Sequence, residues 1–317
     1  MPTVDELEAA ARATLPAEVY DFFAGGADGE VTLAANKAAW ERVRLRPRAF
    51  AGDVPTGTEL LGLRLSHPVG VAPMGYQGLL HPEAELATVC GAGTAGALSV
   101  VSTRSSRSLE EIAAAAPNAP RWFQVYVLRD RRLTAEVVER AAAAGYCALV
   151  LTGDTPVLGR KLRDARNGFV IPEEHARGNL SVPRHSDGAM QDPAISFESI
   201  SWLRGLSGLP VLVKGVLRAD DARLCLDAGA AGVIVSNHGG RQLDGAIATA
   251  EALPEVVAEV AGAAAVLVDG GVDSATDVQR ALALGADAVL VGRPVAWALA
   301  VGGADAVAEL LSDLAVA

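Results

Sequence analysis

Short apolar runs alternating with helical segments predict a (β/α)8 TIM barrel, an α/β fold, here with an N-terminal helical extension. Three observations carry that prediction. β-branched runs bounded by turn residues read as buried strands at 68–74, 98–102, 123–127, 148–154, 210–215, 232–238, 265–271 and 288–293. The segments between them, such as 132–144, 219–228 and 275–284, repeat Ala, Leu and charge at helical spacing, with Asp or Ser near their starts as caps. Most of the runs end in a polar residue, and a barrel gathers all such ends at one face. A doubly wound open sheet is the other arrangement compatible with the alternation.

The elements follow in order. Residues 1–48 read as a helical preface, with Leu7, Ala11, Leu15, Val19, Phe22 and Phe23 on apolar faces. The barrel occupies 65–317, and the whole of 1–317 is expected to form one domain. The stretch 156–198 is long and polar, with Pro172, Pro183 and Pro193, and reads as a partly mobile loop over the barrel mouth.

Composition narrows the function classes. The chain has 317 residues, half of them hydrophobic, and a net charge of −11, which disfavours nucleic acid or an anionic membrane as the main partner. Cys90, Cys147 and Cys225 have no metal-ligand spacing and read as small buried residues in a reducing compartment. The acidic N-terminus lacks the apolar core of a signal peptide, and charge or Gly interrupts the Ala-rich stretches. No metal is expected, and the cytoplasm is the expected location.

The run Ser236-Asn237-His238-Gly239-Gly240-Arg241-Gln242-Leu243-Asp244 concentrates chemistry. A buried strand delivers a proton acceptor, His238, and a carboxylate-gripping fork, Arg241, onto a glycine-opened turn. The other strand ends supply Ser102, Gln124 with Tyr126, Thr152 with Asp154, Lys214, Asp269 and Arg293. Singly, each has a bland reading: a rim salt bridge for Lys214, a helix cap for Asp154, satisfied core polars for Gln124 and Tyr126. Their convergence on one face argues for a site. Asp269-Gly270-Gly271 and Gly292-Arg293-Pro294 close the last two strands, where barrels often hold a phosphate.

These residues resemble the FMN-dependent 2-hydroxy acid oxidase and dehydrogenase family, which includes glycolate oxidases, lactate oxidases and mandelate dehydrogenases. Matching stretches run nearly end to end: Leu15-Pro16 with Val19-Tyr20-Asp21-Phe22, Leu45-Arg46-Pro47-Arg48, Ala72-Pro73, Gln124-Val125-Tyr126, Asp154-Thr155-Pro156, Val213-Lys214-Gly215-Val216, the His238 run, and both glycine-rich strand ends. Phe23-Ala24-Gly25-Gly26-Ala27 and Arg166-Asn167-Gly168-Phe169 look most like the actinobacterial hydroxymandelate oxidase branch.

The resemblance implies FMN as cofactor and a 2-hydroxy acid as substrate, oxidised to the 2-oxo acid. It makes His238 the base and Asp154 its orienting carboxylate. Arg241, helped by Tyr20 and Lys161, would bind the substrate carboxylate, and Tyr126 the substrate oxygen. Lys214 would sit by the flavin N1–O2 edge, with Ser102, Gln124 and Thr152 on the ring system. Asp269 would meet the ribityl chain, and Gly271, Gly292 and Arg293 the phosphate. Pro73, Met74, Gly75, Ser236 and Gly270 complete the implied cofactor contacts. Oxygen or a quinone-type compound would accept the electrons, and a homotetramer is implied.

Five departures from the family pattern stand out. Lys161 replaces a second Arg, so the carboxylate loses a planar fork. Asp273-Ser274 replaces an Arg at the phosphate site, which predicts weaker FMN retention. Arg104 stands where glycolate oxidase carries Trp, which suits a bulkier or second polar group on the substrate, such as mandelate or 4-hydroxymandelate. Gly75 stands where oxidases often have Ala, which leans toward an acceptor other than oxygen. The chain ends at Ala317, where members usually continue with another helical segment; the difference is either compensated or leaves an apolar patch open to self-association. Two other readings are an isopentenyl-diphosphate isomerase-like FMN barrel, which should lack the His238/Arg241 pair, and a degenerate flavin barrel that binds a ligand without turnover.

Overall fold

The structure is a computed structural model that describes residues 2–47, 49, 57–156 and 158–316. Met1, Arg48 and Ala317, each the end of an expected segment, lie outside the described residues. The preface forms α1 (Val4–Thr14), α2 (Ala17–Ala24) and α3 (Val31–Arg42). An antiparallel hairpin, β1 (Thr58–Leu60) and β2 (Leu63–Leu65), precedes the barrel. The alternating units are β3 (Val69–Val71), α4 (Glu85–Ala95), β4 (Ser99–Ser102), α5 (Leu109–Ala115), β5 (Arg121–Val125), α6 (Arg131–Ala143) and β6 (Leu149–Thr152). They continue through α7 (Leu162–Asn167), α8 (Glu198–Ser207), β7 (Val211–Val216), α9 (Ala219–Asp227), β8 (Gly232–Val235), α10 (Thr249–Val260), β9 (Ala265–Val268), α11 (Ala275–Ala283), β10 (Ala288–Val291) and α12 (Arg293–Ala315).

Strands β3 to β10 pair in parallel with their sequence neighbours, and β10 returns to β3 to close the barrel. All eight expected strands are present. The open-sheet alternative is therefore wrong.

Side-chain parity divides the core in two. Leu98, Val100, Trp122, Val150, Leu212, Ile234, Leu267 and Leu290 pack together inside the barrel, and Leu60 and Leu65 of the hairpin join them as a plug. Val101, Phe123, Val125, Leu149, Leu151, Val213, Val235, Val268 and Val291 belong to the layer between strands and helices. Because strand side chains alternate, the inward set continues upward at every second residue. That parity reaches Ser102, Gln124, Tyr126, Thr152, Asp154, Lys214, Ser236, His238, Asp269 and Gly292. The same alternation that fills the barrel with aliphatic side chains places the polar residues at its mouth. Several ladders stop short of the expected ends, β8 at Val235 for example, and the mouth residues sit just beyond the last ladder bonds.

The helices begin as their sequences indicate. Thr3 and Ser108 form capping boxes, and Asp130 and Ser274 cap α6 and α11. α12 is long and apolar enough to cross a membrane by length and composition, but Trp297, Leu299, Val307, Leu310 and Leu311 are buried.

The 156–198 stretch is more ordered in shape than the expected loop. It contains α7, 3-10 turns at Glu173–His175 and Asp187–Ala189, and a bridge from Gln191 to Leu128. Arg163 of α7 ties it to the preface through Asp21 at 3.3 Å and Glu30 at 2.6 Å.

Candidate active site

His238 follows β8 with φ 58°, and Gly239 and Gly240 follow at 63° and 74°. Left-handed backbone at a non-glycine residue costs on the order of 1–3 kcal/mol and persists only where surroundings enforce it. The enforcement is visible. The His238 amide donates to Ser236 Oγ at 3.0 Å. Asn237 and Asn36 of α3 exchange side-chain hydrogen bonds at 2.7 and 2.9 Å. Gly240 lies so close to α3 that a Cβ would fall 2.6 Å from the Leu33 nitrogen. Asp244, at the end of the same run, caps α3 by accepting from Thr32 N at 2.9 Å and Gly29 N at 3.0 Å. The run therefore has two tasks, to aim a histidine and to dock the preface over the mouth.

The His238 ring meets Asp154 through Nδ1, at 3.0 and 3.2 Å to the two carboxylate oxygens. Burial raises the Asp154 proton affinity, but His238 and then Lys214 outweigh it and hold the carboxyl below its usual range. An ionised Asp154 accepts from Nδ1–H, which leaves Nε2 as the basic nitrogen on the cavity side.

The cavity at the mouth measures about 520 Å³. Of the residues the sequence singles out, Pro73, Met74, Gly75, Ser102, Tyr126, Lys161, Lys214, His238, Arg241, Asp269, Gly270, Gly271, Gly292 and Arg293 line it. Gln124, Thr152, Asp154 and Ser236 stand behind this lining. Gln124 joins Ser102 and Thr152 in one chain at 3.2 and 2.8 Å, and Lys214 Nζ donates to Ser236 at 2.7 Å.

Tyr20 is the exception. Its hydroxyl donates to Glu8 at 2.8 Å, and its ring stacks on Trp297 with centroids 5.3 Å apart. Residues two apart on a helix point about 200° apart, so α2 turns Phe22 to the cavity instead. The Phe22 ring lies 5.4 Å from the Arg241 guanidinium. Tyr20 is thus corrected from a carboxylate contact to a packing residue.

The cavity is rich in underused cationic donors. Arg241 donates to the carbonyls of Phe22 at 2.8 Å and Gly25 at 2.6 Å. Arg293 donates to Phe23, Gly239 and Gly25 carbonyls at 3.0–3.1 Å. Burial, with Arg241 beside it, brings Arg293 down to about 10, as expected where positive charges await an anion. Lys161 donates to the Gly159 and Arg241 carbonyls, and burial and Arg241 push it down to about 8.

The residues fit FMN. Asp269 is paired with Lys214 at 2.9 Å, yet its buried Oδ1 has no partner, which suits a ribityl hydroxyl donor. Gly292 has nothing closer than 3.8 Å to a built Cβ, so the backbone beside Arg293 is open to a phosphate. Gly271 takes φ 80° and presses on Asn36, where a Cβ would be 2.8 Å from its backbone.

The Arg293 end of the cavity, where the phosphate would sit, also holds two residues of opposed charge. Asp273 pairs with Lys37 of α3 at 2.7 Å, and burial pushes the Asp273 carboxyl up despite that partner. Asp273→Arg replaces a repulsive group with a charged donor worth about 1.5–3 kcal/mol. FMN Kd, measured by fluorescence titration of apoprotein, should then fall by about ten- to a hundredfold. An unchanged or weaker Kd would remove Asp273 from the phosphate environment. Lys37, Asn36 and Trp40, whose Nε1 donates to Gly270 O at 2.8 Å, escaped sequence reading. Their signal is the polar stripe Thr32, Asn36, Trp40 at spacing four, buried on one face of α3.

Comparison with known proteins places the chain in a family. A family described as FMN-dependent dehydrogenase matches residues 11–316. The L-lactate oxidase of Nostoc sp. is 46% identical, aligned over 98% of this chain and 90% of its own. The 4-hydroxymandelate oxidase of Amycolatopsis orientalis is 48% identical over the same shares. A solved structure of mandelate oxidase with benzoyl-formic acid superposes with a TM-score of 0.93 at 48% identity, covering 99% of this chain and 91% of that one. Matched over nearly its whole length, the chain belongs to the FMN-dependent dehydrogenase family, with FMN as its cofactor.

Proposed function

We propose that this FMN-dependent 2-hydroxy acid oxidase takes (S)-2-hydroxy acids with a bulky, aryl-type side chain, such as mandelate, and releases the 2-oxo acid. The observation that carries the reading is the His238–Asp154 pair opening onto the same cavity as Arg241 and Arg293. Arg241 exchanges its carbonyl partners for the substrate carboxylate. Tyr126 holds the substrate oxygen; burial, and then Asp154, keep its phenol above the usual range, so it stays a neutral donor. His238 Nε2 takes a proton from the substrate, and Asp154 stabilises the imidazolium that results. FMN, when bound, would accept the two electrons and the substrate's second hydrogen. Lys214 supplies fixed positive charge at the ring position.

The aryl preference rests on the likeness to a 4-hydroxymandelate oxidase and a mandelate oxidase, and on an apolar wall of Phe22, Met74, Leu158 and Met190. Oxygen is the acceptor we favour, as in the oxidases this chain resembles. Gly75 has a packing reason of its own, since a Cβ there would sit 2.9 Å from both the Cβ and carbonyl of Arg104. It therefore gives no independent support to another acceptor. Of the three cysteines expected to be buried, only Cys225 is; Cys90 is half-buried and Cys147 exposed, and as free thiols they fit a cytoplasmic setting.

Anaerobic mixing with (S)-mandelate should bleach the yellow protein, and admission of air should restore the colour with release of hydrogen peroxide. Absence of bleaching with any 2-hydroxy acid sinks the reading. Bleaching without recolouring in air removes oxygen alone.

The Lys161 position has its own signature. Its ammonium already serves two carbonyls and loses its charge as pH rises through about 8. KM for the acid should rise between pH 7 and 9. Lys161→Arg should lower KM several-fold and flatten that rise, because a guanidinium stays charged and forks. A higher KM in the Arg variant would count against Lys161 as a carboxylate contact.

A further inference from the structure

The outer part of the cavity holds two cations that the site described above does not use. The substrate carboxylate has Arg241 and Lys161, the phosphate has Arg293 with Lys37 nearby, and the ring has Lys214. Arg104 and Arg184 remain. Among the described residues, neither has a carboxylate within 4.0 Å. Arg104 spends Nη2 on the Ala189 carbonyl at 2.5 Å, which fixes the side chain, while its buried Nη1 has no partner. Arg184 lies over the Tyr76 ring at 4.9 Å, a contact that engages its face and leaves its N–H edge free. His185 and Gln191 line the same region, and the buried Gln191 Oε1 is also unpartnered.

An unpaired buried guanidinium N–H is expensive, and such groups are normally satisfied by protein, water or ligand. The electrostatics agree: burial depresses Arg104, and Arg184 adds repulsion. Arg104 and Arg241 both lie near enough to Tyr126 to favour its ionised form, and all three line the same cavity, Tyr126 being the group that holds the substrate oxygen in the proposed mechanism. A substrate held by Arg241 and Tyr126 shares its cavity with Arg104, which is open to a group on its side chain.

Resting on the 2-hydroxy acid reading above, we infer that Arg104, with Arg184, binds a second carboxylate at the far end of the substrate side chain. The preferred substrate class is then a 2-hydroxy acid with a distal carboxylate, of which a ring-carboxylated mandelate is the simplest aryl case. Arg104 is the specificity-determining residue, and Gly75 is the residue that permits its close approach.

The test compares 4-carboxymandelate with 4-methylmandelate, a neutral acid whose para group is smaller and carries no charge. In the FMN-loaded native protein, kcat/KM should favour the carboxylate at least tenfold, and added salt should reduce that ratio. Arg104→Met should lower the ratio at least tenfold, Arg184→Gln should lower it less, and Arg104→Lys should recover part of it. Oxidation of 4-methylmandelate with a native ratio at or below one overturns this inference and leaves the oxidation reading standing. An unchanged ratio in an Arg104→Met protein that retains FMN overturns it as well. If neither acid is oxidised, the oxidation reading falls and this inference with it.

Discussion

His238→Gln should slow anaerobic reduction of the bound flavin by a 2-hydroxy acid by about 10²–10⁴-fold, the usual contribution of a positioned general base. The protein should remain yellow, because the cofactor contacts proposed above do not include the imidazole. The argument is geometric. Nδ1 is committed to Asp154, which is held ionised, so the ring carries its available lone pair at Nε2. Tyr126 cannot substitute, since its phenol is pushed far above neutral pH. The rival is Lys161, which burial and Arg241 bring down to about 8 within the same cavity. The two are separable by pH. Residual activity that grows as pH rises through 8, and disappears in His238→Gln/Lys161→Met, would transfer the role to Lys161. A loss below tenfold in a variant that still holds FMN would remove His238 from the base position.

The barrel was legible because both its signals are local. Apolar runs such as Gly232–Val235 set the strands, and parity along each run sets which side chains look inward. A reader who sees Ile234 inside knows that Ser236 and His238 follow it, and the pairing of His238 with Asp154 is one step further. The preface was less legible for a reason of the same kind. Tyr20 and Phe22 are both aromatic and differ only in where α2 turns them, and a helix of eight residues leaves that rotation to its packing partners. Trp297, from the other end of the chain, settles it. Lys37 and Asn36 had no local signal of function, because their partners Asp273 and Asn237 lie more than two hundred residues away. The 156–198 segment read as a loop because its short elements lean on Asp21, Glu30 and Leu128 and not on each other.

Lys214→Met should destabilise the protein by about 3–5 kcal/mol, the cost of leaving one member of a buried ion pair alone. Lys214 and Asp269 side chains are 4% and 8% exposed, so neither charge can return to water. The pair is also incompletely satisfied. Nζ has three donors and uses two, on Asp269 Oδ2 and Ser236 Oγ, while Asp269 Oδ1 has none to accept from. Such a pair is a poor device for stability alone, since a well-packed apolar replacement often matches or exceeds it. Its spare donor and spare acceptor make sense facing a bound polar ring and its side chain. Stability and chemistry should therefore separate. Lys214→Met/Asp269→Asn removes both charges and should recover most of the lost stability in denaturant titrations. It should not recover flavin reduction, because the fixed positive charge at the ring position is absent from both variants. A double variant that is stable and reduces its flavin at the native rate would make Lys214 a structural residue, and the positive charge at the end of β7 would need another purpose.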